Sequence, residues 1–171
     1  MTKKILITGI AGFVGSHLAE FCLSQGDDVS GTVLSRESLK NLSGIRGKIK
    51  IFECDLNQKE EVLKVIREIQ PDVIFHLAGQ SFPSIFFQMP QQTLSTNIFI
   101  ALNIFEAVRE LKIDPVIQVA CSSDEYGFVK EDELPIKETN PLRPMSPYAV
   151  SKVAVDMLAF QYYQSYQMKT V

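Results

Sequence analysis

Three groups of residues in this 171-residue chain have the types and spacing that chemistry needs. The first is Gly9-x-x-Gly12-x-x-Gly15. Glycines at this spacing, after a strand and opening a helix, allow a tight turn and a close approach of main chain to a pyrophosphate. The helix N-terminus then offers N–H groups and partial positive charge to the anion. The plainer reading is a turn that only packs helix on sheet; the context favours a dinucleotide. The second is Tyr148-Ala149-Val150-Ser151-Lys152. Residues four apart at a helix start share a face. An ammonium beside a phenol favours phenolate and lowers a tyrosine pKa from about 10. Tyr148 is thereby a candidate proton donor or acceptor near neutral pH. Alone, this pattern is common by chance. The third is Cys121-Ser122-Ser123-Asp124-Glu125-Tyr126-Gly127, directly after a strand. Hydroxyls there can hydrogen-bond a reacting oxygen; equally, Ser and Asp can cap the N–H groups of a polar turn.

The elements that must position these residues alternate. Residues 4–8 form a short apolar, β-branched run that suits a buried parallel strand. A helix follows to about residue 24, with Gly26 as its stop. Residues 29–34 read as a second strand, 35–47 as a polar connecting loop and 49–54 as a third strand. Asn57-Gln58-Lys59-Glu60 offers a capping box for a helix with Val62, Val65, Ile66 and Ile69 on its apolar face, stopped by Pro71. A strand over 73–77, a long helix from about 91 to 112 and a strand over 116–120 come next. A loop of more than 20 residues then carries Pro135, Pro141 and Pro144, a length that is usually functional. The last helix starts near Pro147, where proline suits the first turn. This alternation predicts an α/β fold, a Rossmann-type doubly wound parallel sheet with helices on both faces. Ligands of such sheets bind at the carboxyl ends of the strands. The glycine turn and the loop after the fifth strand both lie there.

Composition narrows the class. Hydrophobic residues make up 46% and charged residues 22%, so a packed domain is expected rather than disorder. The formal charge of −3, with no basic run, gives no support to nucleic-acid or membrane-surface binding. No run of 18 apolar residues exists. The apolar run Ile5-Leu6-Ile7 is too short for a signal-peptide core, so a cytoplasmic protein is expected. Cys22, Cys54 and Cys121 match no metal motif and read as reduced, mostly buried thiols. No metal is expected. His76 reads as a hydrogen-bonded core group, and His17 has no identifiable partner.

Taken together, the motifs resemble the extended short-chain dehydrogenase/reductase family over essentially the whole chain. The resemblance rests on the glycine pattern, Asp55-Leu56, His76-Leu77-Ala78-Gly79, Asn97, the serine pair and Tyr148-x-x-x-Lys152. His76-Leu77-Ala78-Gly79-Gln80-Ser81, Ser122-Ser123-Asp124-Glu125-Tyr126-Gly127 and Leu142-Arg143-Pro144-Met145-Ser146-Pro147-Tyr148 resemble its nucleotide-sugar branch. GDP-4-keto-6-deoxy-mannose reductases are the nearest resemblance, and GDP-mannose 4,6-dehydratases come next. The resemblance implies that Gly9, Gly12 and Gly15, with Phe13 and Val14 main chain, shape a pyrophosphate loop. It implies that Asp55 bonds the adenine amine with Leu56 against the ring, and that Leu77, Ala78 and Gly79 line the ribose side. Asn97 is implied as a structural or relay residue. Lys152 would hold the nicotinamide ribose and lower the Tyr148 pKa, while Tyr148 exchanges a proton with the sugar oxygen. Ser122 matches the catalytic Ser/Thr, with Ser123 as the alternative. Gln80, Ser81, Ser123 and Asp124 would face the substrate.

Three departures from the family pattern carry information. Family dehydratases have a Glu base where this chain has Asp124, one methylene shorter; a displacement of about 1 Å can cost roughly 100-fold in rate. That favours a reductase, which needs no such base, over a dehydratase or epimerase retaining its coenzyme. Strand two ends Thr32-Val33-Leu34-Ser35-Arg36, with no acid until Glu37. Ser35 and Arg36 then join the cofactor site, and Arg36 paired with a 2′-phosphate favours NADP over NAD. Family members run to roughly twice this length, so a dinucleotide-binding domain over 1–171 without its C-terminal substrate domain is expected, inactive alone. Ile98, Phe99, Leu102 and Phe105 on the helix over about 91–112 are apolar on more than one face. So are Val153, Val155, Leu158, Phe160 and Tyr162 on that over about 147–168. Such helices are buried, and the resemblance implies a homodimer through these two. The expected reaction is NADPH reduction of the 4-keto group of a nucleotide-linked sugar; a non-catalytic NAD(P) sensor is the minor alternative.

Overall fold

The computed structural model describes residues 2–35 and 39–171. Five parallel strands form one sheet: β1 (Lys4–Thr8), β2 (Asp28–Val33), β3 (Lys50–Glu53), β4 (Val73–His76) and β5 (Val116–Val119), in the order β3-β2-β1-β4-β5. The order reverses between β1 and β4, where Thr8 pairs with both Thr32 and His76. In a doubly wound sheet the crevice at that reversal is the binding position. Lys169 and Val171 hydrogen-bond to Ile117 and Val119, so residues 169–171 pair in parallel beside β5.

Alternation along β1 sends Ile5 and Ile7 to one face and Leu6 to the other. Leu6, Ile74 and Ile117 meet helices α2 (Lys59–Ile69), α4 (Pro90–Leu111) and α5 (Pro147–Tyr166) in one core. Ile5, Ile7, Val29 and Val33 meet α1 (Phe13–Ser24) and the segment around Leu39, Leu42 and Ile45 in the other. Each large side chain so buried contributes about 1.5–3 kcal/mol. α1 turns Gly15, Ser16, Ala19 and Cys22 to the sheet, small residues that let the helix approach closely.

Four local expectations are corrected. The segment over 35–47 is not merely a polar loop: short 3₁₀ turns at Lys40–Leu42 and Arg46–Lys48 bury Leu39, Leu42 and Ile45. The capping box at 57–60 does not form. Asn57 bonds to the Asp55 carboxylate instead, and Gln58 occupies the N-cap without a side-chain bond. A short helix, α3 (Pro83–Gln88), lies where the sequence shows no periodicity, because six residues are too few to reveal one. The two helices expected to be apolar on more than one face bury only part of that surface. Phe105 and Tyr162 pack together between α4 and α5, whereas Phe99 and Phe160 remain exposed.

Among the described residues, no helix is long and apolar enough to cross a membrane, and no group of side chains could hold a metal ion.

Candidate active site

The glycine turn is built by main-chain crowding. Gly9 has φ +67, and a Cβ there would lie 3.1 Å from the Ala78 Cα. A Cβ on Gly15 would lie 2.5 Å from the Gly9 carbonyl oxygen. Gly12 caps α1 in extended conformation and has no side chain to satisfy the first-turn N–H groups. Phe13 and Val14 point outward and are exposed. The arrangement presents free first-turn N–H groups in a cradle that no side chain fills, and this suits a pyrophosphate.

The neighbouring turn after β4 is held from beneath. The Thr8 hydroxyl oxygen accepts N–H bonds from Leu77 and Ala78, each at 3.1 Å, and lies 2.8 Å from His76 Nδ1. With two N–H groups donated to it, Thr8 gives its own proton to Nδ1, which leaves His76 protonated at Nε2. Burial, reinforced by the Lys152 charge, pushes the His76 pKa down to about 3 and keeps the ring neutral. The core reading of His76 therefore holds. His17 makes an edge-on contact with Phe13, ring centroids 4.8 Å apart.

Asn97 is buried and joins three segments. Its Oδ1 accepts from Gln80 N–H at 2.7 Å, and its Nδ2 donates to Gln80 O at 3.1 Å and to Ser151 Oγ at 2.9 Å. Ser151 in turn donates to the Tyr148 carbonyl at 2.6 Å. Asn97 thus ties α4 to the β4 turn and to α5. Gln80 is half-buried by these bonds, and Ser81 is exposed.

After β5 the chain turns at once into a 3₁₀ turn, Ser123–Glu125, capped by Ser122. Ser122 Oγ accepts from Asp124 N–H at 3.2 Å, and Glu125 Oε1 accepts from Ser122 N–H at 3.0 Å. Ser123 and Asp124 are exposed, and Glu125 is buried. Of the two serines, it is the Ser122 side chain that acts on Tyr148, in the direction that lowers the phenol pKa. A cleft of about 630 Å³ opens beside it, lined in part by Cys121, Ser123, Glu125, Tyr126 and Asp156. Cys121 is exposed at this cleft, contrary to the expectation of a buried thiol, because it follows the last paired residue of β5. Its sulfur, partly desolvated and facing the Glu125 and Asp156 carboxylates, has its pKa pushed up to about 12.

α5 starts at Ser146, whose Oγ accepts from Ala149 N–H at 3.0 Å. Its first turns carry Tyr148 and Lys152. The Tyr148 ring stacks on Phe86 of α3, centroids 5.1 Å apart and 19° between planes. Lys152 Nζ donates to Ala120 O at 2.7 Å and lies 5.7 Å from the Tyr148 ring centroid. The expected lowering of the Tyr148 pKa by Lys152 is not found. Burial raises it, the Ser122 bond works against that, and nearby Asp124, Glu125 and Cys121 raise it further. The reason is geometric: the ammonium is turned to the Ala120 carbonyl, and burial lowers its own pKa.

Other expected site residues stand as follows. The Asp55 carboxylate accepts from Asn57 and Gln58, and its backbone N–H donates to Glu61 at 2.8 Å, so here it organises the entry to α2. Leu56 is buried in the core and offers little surface to a ring. Ser35 is half-buried, and Arg36 lies outside the described residues. Two contacts were not legible in the sequence. One is the Phe86 stack on Tyr148. The other is the paired bond of Arg143 to Glu133, at 2.7 Å for each oxygen, which staples the long loop and holds the Glu133 pKa down to about 2.

A parallel sheet reversing at β1/β4, with a glycine turn at that point, defines a Rossmann-type fold. The chain belongs to the GDP-mannose 4,6 dehydratase family, whose sequence profile matches residues 6–171. This bears out the resemblance to the nucleotide-sugar branch of the extended short-chain dehydrogenases. A GDP-mannose 4,6-dehydratase of Vibrio cholerae serotype O1 is 35% identical over 179 residues, covering 97% of this chain and 47% of that protein. The UDP-glucose 4-epimerase of Thermus thermophilus, solved in complex with NAD, matches with TM-score 0.84 and 34% identity over 97% of this chain and 52% of its own. RMD from Pseudomonas aeruginosa, complexed with NADPH, matches with TM-score 0.79 and 28% identity over 99% of this chain and 51% of its own. The chain spans about half the length of the curated relatives it matches.

Proposed function

We propose that this chain is the cofactor-binding and catalytic part of a cytoplasmic NAD(P)-dependent enzyme acting at C4 of a GDP-linked hexose. The observation that carries this is the approach of Ser122, Tyr148 and Lys152 to one another at the carboxyl ends of β4 and β5, beside the glycine cradle. The nicotinamide, when bound, accepts or returns a hydride at C4. Main chain at Gly9, Gly12, Phe13, Val14 and Gly15 would hold the pyrophosphate, Leu77, Ala78 and Gly79 the ribose side, and Asp55 the adenine end. Tyr148 passes a proton to or from the sugar O4, and Ser122 hydrogen-bonds that oxygen. Lys152, released from Ala120, orients the ribose and supports the ionised phenol. Gln80, Ser81, Ser123 and Asp124 would line the sugar. NADP is our preferred coenzyme on the strength of Arg36 in the sequence; the solved neighbours carry both NAD and NADPH.

The relatives' names support 4,6-dehydration of GDP-mannose as the leading reaction. Asp124 would then take the C5 proton. Reduction of a 4-keto-6-deoxy sugar, the first expectation from sequence, is the second reading. It is favoured by the short acid at 124 and by Glu125 being turned inward to cap Ser122. In either case residues 1–171 are the dinucleotide-binding domain, and a C-terminal substrate domain outside this sequence completes the sugar pocket. Exposed Phe99, Met157, Phe160 and Tyr163 support a homodimer through α4 and α5; a monomer mass by light scattering would count against it.

The full-length gene product should be given GDP-mannose with catalytic NAD(P), and separately GDP-4-keto-6-deoxy-mannose with NADPH. Loss of water from GDP-mannose without net coenzyme consumption establishes the dehydratase. Stoichiometric loss of nicotinamide absorbance with the keto sugar establishes the reductase. Inactivity with both overturns the GDP-hexose assignment.

A further inference from the structure

We infer that Glu125 is a positioning residue whose buried carboxylate fixes the turn that aims the Ser122 hydroxyl at Tyr148. This rests on the reading of Ser122 and Tyr148 as a working pair. Glu125 is 5% exposed, the only carboxylate among the described buried residues. Its Oε1 takes the Ser122 N–H at 3.0 Å, and its carbonyl takes the Arg143 N–H at 3.0 Å. The same residue thus anchors both ends of the long connection between β5 and α5. Ser122 Oγ already accepts the Asp124 N–H at 3.2 Å. With the Ser122 backbone held by Glu125 and one lone pair held by Asp124 N–H, the hydroxyl proton is left to point at the Tyr148 oxygen.

The surroundings show why a carboxyl group suits this place. Cys121 Sγ lies 4.0 Å from Asp156 Oδ1, and Asp156 and Lys152 act on Glu125 with opposite charge effects. One oxygen of the Glu125 carboxylate is thus spent on the turn. The neighbouring Asp124, by contrast, is exposed. A capping box of this kind normally only starts a helix. Here it starts a single 3₁₀ turn whose cap residue is the one that reaches Tyr148.

The test uses this chain with tyrosine labelled by ¹³C at the ζ carbon, with the Tyr148 resonance assigned from Tyr148→Phe. Removing the hydrogen bond in Ser122→Ala shifts that resonance. Glu125→Ala is expected to shift it in the same direction, and Glu125→Gln, which keeps the acceptor, to leave it in place. If Glu125→Ala does not fold by circular dichroism, Glu125→Leu, which keeps the buried volume, carries the same comparison. In the full-length enzyme, kcat should fall on the order of 100-fold in Glu125→Ala, with coenzyme KM unchanged and recovery in Glu125→Gln. A Tyr148 resonance that moves in Ser122→Ala but not in Glu125→Ala overturns the inference. So does a Glu125→Gln protein as altered as Glu125→Ala. The labelled-tyrosine result needs no substrate, so it stands apart from the outcome of the sugar assays.

Discussion

The turn after β1 and the connection after β5 reach the same end of the sheet by opposite means. The first is four residues of main chain between Thr8 and Phe13, and its shape comes from what is missing: a Cβ at Gly9, Gly12 or Gly15. The second runs from Val119 to Pro147, and its shape comes from what is present. Ser122 and Glu125 close a capping box, Arg143 grips Glu133, Ser146 caps α5, and Phe86 of another helix stacks on Tyr148. A backbone-built site is local and tolerates changes in the side chains around it. A side-chain-built site depends on partners many residues away, and each partner is a separate point of failure.

The comparison breaks most sharply at Tyr148. Replacing it with Phe is expected to lower kcat of the full-length enzyme by about 100- to 10,000-fold, the range for a lost general acid–base. Coenzyme affinity, followed by fluorescence titration, should be unchanged, since the cradle lies on the other connection. Normal turnover would remove the β5–α5 connection from the chemistry.

Gly15→Ala is the matching change in the first turn. The new Cβ meets the Gly9 carbonyl oxygen at 2.5 Å and Ile10 Cα at 2.8 Å, both main chain. A loss of about 1–3 kcal/mol in urea unfolding is expected, as for other overpacked sites. Coenzyme binding should weaken with it. Retention of both stability and affinity would show that the cradle is not set by main-chain crowding.

The smallest effect is expected at the loop staple. Arg143→Met should leave coenzyme affinity as it is and speed protease cleavage between Phe128 and Arg143. The pH dependence has a definite sign. Arg143 holds the Glu133 carboxyl at about 2, below its ordinary value of 4.5. The staple is therefore intact above pH 4.5 and is lost as pH falls toward 2. Cleavage of the wild-type loop by an acid protease should accelerate across that window and that of the Met variant should not.

Legibility in the sequence followed the same division. The order of strands and helices was readable because apolar alternation in β1 and the 3.6-residue spacing of Val62, Val65, Ile66 and Ile69 are periodic signals. α3 was not readable, since six residues carry no period, and its Phe86 acquires meaning only against Tyr148. The sequence favours a capping box at Asn57, but Asp55 draws that side chain away, and a box forms instead at Ser122. The Tyr148–Lys152 spacing correctly put two groups on one face. Which way the ammonium turned depended on the Ala120 carbonyl, 32 residues away in the chain.

The sequence by itself determined the alternating α/β order, the glycine turn and the shared helix face of Tyr148 and Lys152. Those features follow from periodicity and from steric exclusion, which act between near neighbours in the chain. Tertiary structure alone decided that Glu125 is buried and Asp124 exposed, and that Lys152 faces Ala120. Each of these is a choice among hydrogen-bond partners brought together only by folding, where burial makes every unmet donor costly and so selects one arrangement.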